Sequence, residues 1–307
     1  MMDFRRRTLA LFLLYGALSS GLTSCVARRR LITRASGSNT PALKIADAKS
    51  LMDDLQHQFD AIQDFSATVD MVPALGSAEK NRITEYKDVR AYIRFRKPAQ
   101  MRLIGLLPVV RSQAFDMVSN GETFKLYLPS KDRFIVGRNE VVKPSSNNLE
   151  NLRPQHFTDA LMVRPIDLQR FHVILENFTD EDNAYYILHE VKEGVNGALT
   201  LNRTIWYSRI DLQLARQMIF DENGNILTDA RYSQWHSYDN IPFPKHIEIN
   251  RPRDEYAVVI DLVKMDINKG IPDSQFVLEQ PEGSTLQNVG SVTPEPDPAP
   301  AKQGKRS

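Results

Sequence analysis

From about residue 66 to residue 267, apolar residues recur at every second position in short runs, and turn-forming residues separate the runs. No other feature constrains the fold as strongly. A period of two is that of a half-buried strand, and short runs joined by tight turns pair with their neighbours in sequence. Ala91, Ile93 and Phe95 alternate with Tyr92, Arg94 and Arg96, and the next run carries Met101, Leu103 and Leu107 on one side. Strands follow at Gln113–Ser119, Thr123–Leu128 and Arg133–Val136, with turns at Lys97-Pro98, Asn120-Gly121 and Pro129-Ser130-Lys131-Asp132. A second set begins near Phe171 and continues through Tyr185–Val191, Thr200–Arg209, Leu214–Asp221, Ile226–Tyr238, Lys245–Arg251 and Tyr256–Ile267. Glu222-Asn223-Gly224-Asn225 reads as a hairpin turn within it.

Two stretches change period. Ala48, Leu51, Leu55, Phe59 and Ile62 recur at spacings of three and four, which predicts a helix over Leu43–Ile62. Pro154–Met162 reads as a short helix with Phe157, Leu161 and Met162 on its apolar side. Pro272–Leu278 is the last segment expected to be ordered. Helix, meander, helix, meander predicts a mainly β (α+β) chain, with a single strongly curved antiparallel sheet and helices on one face.

The N-terminus has a separate logic. Arg5, Arg6 and Arg7 precede an apolar run from Leu9 to Leu18, too short for an ordinary membrane span. Small residues then lead to Leu22-Thr23-Ser24-Cys25, which resembles the lipobox of bacterial lipoproteins. Cys25 is the single cysteine of the chain, so it has no internal disulfide partner, and lipidation accounts for an unpaired thiol on an exported protein. The alternatives are an ordinary signal peptide with an incidental cysteine, or an uncleaved anchor helix. Each buried acyl methylene contributes about 0.8 kcal/mol and stable anchoring takes more than one chain, which a diacylglyceryl, N-acylated (palmitate-type) cysteine supplies. Ala27, two past the cysteine, is not the Asp that marks inner-membrane retention in such lipoproteins, which favours the outer membrane facing the periplasm. The expected organisation is a signal peptide at 1–24, a lipidated Cys and flexible tether at 25–42, a folded domain at 43–289 and a disordered tail at 290–307. Arg28, Arg29, Arg30 and Arg34 in the tether either sit against anionic headgroups or form a solvated linker.

Composition narrows the function. With 39 basic against 38 acidic residues the formal charge is +1, and no basic face argues for nucleic acid. Six histidines are present without an HExxH pair, and G-x-S-x-G, P-loop and dinucleotide fingerprints are absent from the sequence. No cofactor, metal site or catalytic residue is expected, and the chain reads as a non-enzyme. A hydrolase of envelope lipids is the least supported of the readings.

The stretch from Arg94 to Val136 resembles the LolA/LolB family, the periplasmic carrier and outer-membrane receptor of lipoprotein sorting. Arg96-Lys97-Pro98 resembles its basic-basic-Pro opening, Met101-Arg102 its apolar-Arg step, and Pro108 its following loop. Ser119-Asn120-Gly121-Glu122-Thr123-Phe124 and Tyr127-x-Pro129 match further segments, as do Phe276-x-Leu278 and Pro281-Glu282-Gly283 near the end. The resemblance spans most of residues 43–288, and the middle, about 140–200, is longer than the family's core. It implies a half-barrel whose concave face is covered by helices around an apolar cavity for acyl chains of lipids or lipoproteins.

On that reading the lining candidates, taken from alternation, are Ala91, Ile93, Phe95, Met101, Leu103, Leu107, Phe115, Met117, Phe124 and Leu126. Filling a core is the equal alternative for each. In the family's soluble carriers an Arg directly before the Pro helps lock the helical lid; here Lys97 holds that place, which puts the lock in question. The lipobox and Lys97 lean towards the membrane-anchored receptor, handing on cargo from a soluble lipoprotein carrier. Its apolar transfer loop would correspond to Leu106, Leu107, Val109 and Val110 around Pro108, a buried corner being the alternative. The remaining reading is an assembly lipoprotein that holds a protein partner through the same fold.

Overall fold

The structure, a computed structural model, describes residues 42–77, 82–85, 88–139, 153–180, 182–194 and 196–289. The signal peptide, Cys25, the tether before residue 42 and the tail from 290 lie outside the described residues.

The first helix, α1, runs Ala48–Ala61, five residues shorter at its start than the periodicity predicts. Asp47 is the reason. Its carboxylate accepts the Ser50 backbone N–H at 2.8 Å, and the Asp47 N–H donates to Ser50 Oγ at 3.1 Å, a reciprocal capping box that fixes the first turn. Upstream the chain is extended, and the Lys44 N–H bonds the Arg209 carbonyl. At the other end the Asn268 amide donates to the Ala61 carbonyl and accepts from the Gln63 N–H, both at 2.7 Å. Leu51 and Leu55 are the buried stripe of α1.

The strands follow as β1 (Asp64–Ser77), β2 (Arg82–Glu85), β3 (Val89–Arg96), β4 (Gln100–Leu106), β5 (Gln113–Ser119), β6 (Thr123–Leu128) and β7 (Arg133–Arg138). Helix α2 (Pro154–Leu161) leads to β8 (His172–Thr179), β9 (Ala184–Glu193), β10 (Leu199–Ser208), β11 (Leu214–Phe220), β12 (Ile226–Tyr238), β13 (Ile241–Arg251), β14 (Tyr256–Ile267) and β15 (Thr285–Val289). All belong to one open sheet in the order β15-β7-β6-β5-β4-β3-β1-β14-β13-β12-β11-β10-β9-β8, with β2 added on β1. Two meanders therefore meet at β1. Phe65 faces Phe95 of β3 on one side and Ile267 of β14 on the other.

That sheet is strongly bent, as consecutive residues of α2 demonstrate. Thr158 Oγ1 lies 3.4 Å from Met101 Sδ on β4, while the Asp159 carbonyl accepts Gln217 Nε2 of β11 at 3.0 Å. Six strand spacings separate β4 from β11. In a flat sheet that is on the order of 29 Å. Two neighbouring residues reach both only if the sheet curls around them.

One expectation is corrected. The sheet is not wholly antiparallel, because β15 pairs β7 in parallel, Thr285 facing Arg133 and Val289 facing Gly137. After β14 the chain crosses the face of the first meander opposite the main core. There Arg96 donates to the Ile271 carbonyl at 2.6 Å, pairs with Asp273 and lies over the Phe276 ring. Arg102, in a bidentate pair with Asp116, also donates to the Gln275 carbonyl. Leu278 is buried on Val118 and Phe134 in a second small cluster. The strap thus arrives at β7 running in the same direction, a pairing no hairpin could give.

Gly137 makes that junction possible. A Cβ there would sit 2.8 Å from the Val289 carbonyl and 2.7 Å from the Phe124 ring, too close for either. Gly137→Val is expected to peel β15 from β7 and to cost about 1–3 kcal/mol, as overpacking does. Hydrogen exchange would show it as lost protection in residues 285–289 with little change in β9 and β10.

Candidate functional site

The sequence-predicted residues fall into two groups. Ala91, Ile93, Phe95, Met101, Leu103, Met117, Phe124 and Leu126 are at most 1 % exposed, in one core cluster with Leu51 and Leu55 of α1 and Phe157 of α2. Phe115 is half-buried against the same cluster. Leu107, named both for the lining and for the loop, lies in the β4–β5 turn and is exposed. Alternation along the strands therefore marks the face that carries the core. It does not reveal where on that face space is left.

Space is left around the C-terminal ends of α1 and α2. A cavity of about 490 Å³ is bounded by Phe59, Phe95, Pro98, Ala99, Gln155, Thr158, Met162 and the β5–β6 turn. Its floor is apolar (Phe59, Phe95, Met162) and its rim polar, with Asn120, Glu122, Asn139, Asp159 and Arg164. Such a volume is within the common range of small-ligand sites, roughly 300–1,000 Å³. Asn139 holds the rim together: its Nδ2 donates to Ser119 Oγ and the Gly121 carbonyl, both at 2.9 Å. Its Oδ1 is buried without a hydrogen-bond partner. Of the lining candidates, Phe95 borders this space. Phe59 and Met162 were legible only as apolar helix positions, and nothing in the sequence pointed to Asn139 or Arg164.

Lys97 joins α1 to the sheet beside the cavity. Its Nζ donates to the Phe59 carbonyl at 2.6 Å and lies 3.9 Å from the centre of the Phe59 ring. Partial burial lowers its pKa below the ordinary lysine value. The position that put a lid lock in question is thus occupied by a cation holding the last turn of α1.

A second cavity, about 340 Å³, shares Asp159, Met162 and Arg164 with the first and continues along Pro165, Asp167, Arg170, Phe171, Glu190, Asn202, Arg203 and Gln217. Arg203 and Glu190 form a buried pair at its base. Arg203 Nη1 donates to the Arg164 carbonyl at 2.8 Å, and Asn202 completes the carboxylate.

The β4–β5 turn projects apolar side chains. Val109 is 99 % exposed, Val110 76 %, and Leu106 is half-buried at its base. Val109 has φ of 70°, a conformation rare for a β-branched residue.

Beneath α2 lies a polar network without an obvious ligand. His156 Nε2 accepts from Arg251 at 2.9 Å, so in the neutral ring Nδ1 carries the hydrogen and donates to Tyr256 Oη at 2.6 Å. Burial of the ring, then Arg251 and Arg153, push the His156 pKa well below its ordinary value. The unfolded chain takes up that proton near pH 6.5. Stability therefore falls as the pH drops below about 6.5. His246 works the other way. Its bonds to Asp261 and Glu248 raise its pKa, so its contribution is present at low pH and lost as pH rises. Because the His156 ring is enclosed while the His246 side chain is partly exposed, where water screens its ion pairs, the melting temperature is expected to fall between pH 7 and pH 5. His156→Gln should flatten that slope; an unchanged slope would remove the assignment.

Among the described residues no group of three or more His, Cys, Asp or Glu is placed to hold a metal ion. No helix among them is long and apolar enough to cross a membrane.

No protein-family model matches the chain, and no curated protein matches it. Similar solved structures include a DUF1329 family protein from Desulfovibrio piger, at 16% identity and TM-score 0.49, covering 76% of this chain and 98% of that one. They also include a LolA superfamily protein from Nitrosomonas europaea, at 15% identity and TM-score 0.49, covering 76% of this chain and 99% of that one.

Proposed function

We propose that this chain is a lipid-anchored protein of the bacterial envelope, exported by residues 1–24 and acylated at Cys25. Its half-barrel domain, residues 43–289, binds acyl chains of lipids or lipoproteins and takes part in lipoprotein sorting or lipid transfer at the outer membrane. The observation that carries this reading is the 490 Å³ cavity with an apolar floor of Phe59, Phe95 and Met162 and a polar rim. Acyl chains lose about 0.8 kcal/mol per methylene when exposed, so a greasy floor behind a polar rim is a physical match for an amphiphile. The motif resemblance over residues 94–136 points the same way.

On this reading α1 and α2 cover the concave face. Long chains displace α1 at the Lys97–Phe59 contact and reach Ala91, Ile93, Met101, Leu103, Met117, Phe124 and Leu126 beyond Phe95. Phe115 borders that path. Leu106, Leu107, Val109 and Val110 are the membrane-facing transfer loop. No step here is a reaction, and the protein is a carrier or receptor rather than an enzyme. A second reading, an assembly lipoprotein gripping a protein partner, is favoured by the close packing of Ile93, Leu103 and Leu126 with Leu51 and Phe157.

The full chain, purified from cells and extracted for lipid mass spectrometry, is expected to carry phospholipid or an acylated peptide at about one per protein. A stable, lipid-free protein that takes up no lipid from vesicles would exclude the carrier reading. Val109→Asp together with Val110→Asp should abolish transfer to vesicles while changing stability by less than about 0.5 kcal/mol, since both side chains are exposed.

A further inference from the structure

The two cavities differ in character although they share Asp159, Met162 and Arg164. The larger has the aromatic and thioether floor. The smaller is walled by charge: Arg164, Arg170 and Arg203 against Asp159, Asp167 and Glu190. These six charges cancel, so the smaller cavity has no long-range preference for an anion or a cation. What it offers is decided by which charged groups are already engaged.

Arg203 and Glu190 are engaged with each other. Arg203 Nε donates to Glu190 Oε2 at 2.9 Å, and Nη1 reaches the Arg164 carbonyl and Gln217 Oε1. Glu190 Oε1 is held by Asn202. Most of the hydrogen-bonding capacity of both is taken up within the protein. Arg164 spends one nitrogen on Asp159 at 2.6 Å, in a pair whose arginine side chain is 61 % exposed. An exposed pair of that kind is readily rearranged, and the guanidinium keeps most of its five donors. Arg170 lies 5.5 Å from the Phe171 ring and makes no ion pair among the described residues. Asp167 accepts its own turn's Gln169 N–H through Oδ1 and likewise makes no ion pair among them. Among the described residues the chamber therefore holds one cation and one anion without an ion-pair partner, three residues apart, beside a second, loosely paired arginine.

We propose that this smaller cavity is a headgroup subsite for a zwitterionic amphiphile, a phosphate that also bears an ammonium group, whose chains lie in the larger cavity. The inference rests on the acyl-binding reading above and adds the class of lipid. Arg164 and Arg170 take the phosphate, for which the planar fork of a guanidinium supplies paired donors. Asp167 takes the ammonium. Met162, common to both cavities, lies where the headgroup gives way to the chains.

The test uses the full chain and three probes with identical acyl chains: phosphatidylethanolamine, phosphatidylglycerol and diacylglycerol. Wild type is expected to bind phosphatidylethanolamine about tenfold tighter than phosphatidylglycerol, one charge-assisted hydrogen bond being worth about that factor, and tighter still than diacylglycerol, which lacks the phosphate as well. Arg170→Ala should reduce the preference for phosphatidylethanolamine over diacylglycerol about tenfold, and Asp167→Asn should erase that over phosphatidylglycerol, while both still bind diacylglycerol as wild type does. Three equal affinities in wild type, or variants that keep the preference, would overturn the headgroup subsite and leave acyl binding standing. Failure of wild type to bind any of the three would overturn acyl binding and the subsite with it. Arg170 and Asp167 are exposed, so neither replacement is expected to unfold the chain.

Discussion

Glu190→Ala is expected to remove about 3–5 kcal/mol of folding stability, the usual loss when one partner of a buried ion pair is deleted. Glu190 and Arg203 side chains are 4% and 10% exposed, and Arg203 binds the carboxylate through both Nε and Nη2. Without Glu190 the guanidinium keeps only the Arg164 carbonyl and Gln217 Oε1. Two neutral acceptors do not balance a buried cation. The paired replacement Glu190→Leu with Arg203→Met removes both charges and should fall within about 1–2 kcal/mol of wild type. Urea denaturation of the three variants measures the difference directly. A loss below about 1 kcal/mol for Glu190→Ala would mean that water in the neighbouring cavity solvates Arg203, and the pair would then not be a structural element.

Phe65→Ala should cost a similar amount, about 3–5 kcal/mol, by opening a void in the core. Phe65 is 1 % exposed, and its ring stacks on Phe95 at 5.5 Å and meets Phe243 at 5.9 Å. Phe95 belongs to the first meander and Phe243 to the second, so one side chain on β1 ties the two halves. The expected signature is a single, lower denaturation midpoint with an unchanged slope. Two separated transitions would show that the meanders are held together by something other than this aromatic contact.

Much of the β architecture was legible because each run carries its own period and its own punctuation. Gln113–Ser119, Thr123–Leu128, Ile226–Tyr238 and Tyr256–Ile267 begin and end where alternation and turn residues place them. The misses have specific physical causes. β13 begins at Ile241 rather than at Lys245, because Pro242 and Pro244 argue against a strand. They are tolerated because β14 pairs with β13 only from His246 onward. β15, Thr285–Val289, has too few apolar residues to show a period, and its parallel partner lies far back in the chain. The start of α1 was misplaced because its apolar stripe is easier to see than the single carboxylate that caps it.

The site was less legible than the fold, for a related reason. Alternation reports which way a side chain points, and Ile93, Leu103 and Leu126 do point to the core. Whether that core is filled depends on where α1 and α2 lie across the sheet, which is a long-range fact. Lys97 and Asn139 gain their significance from partners distant in sequence, so no local pattern marks them.

The placement of β1 sets the order in which this chain can acquire its structure. Residue 65 needs residue 267 beside it, so the pairing closes a loop of about two thirds of the polypeptide. Closing so long a loop must precede the reward of contact, which makes folding slow and high in contact order. As the chain emerges from its N-terminus, β3 to β7 can assemble on one edge of β1, while the opposite edge waits for the last major strand. A shortened product ending before Tyr256 would leave that edge bare, a template for aggregation. Native structure is therefore withheld until the strand that ends at Ile267 is available, and until then the preceding two hundred or so residues stay without their central partner.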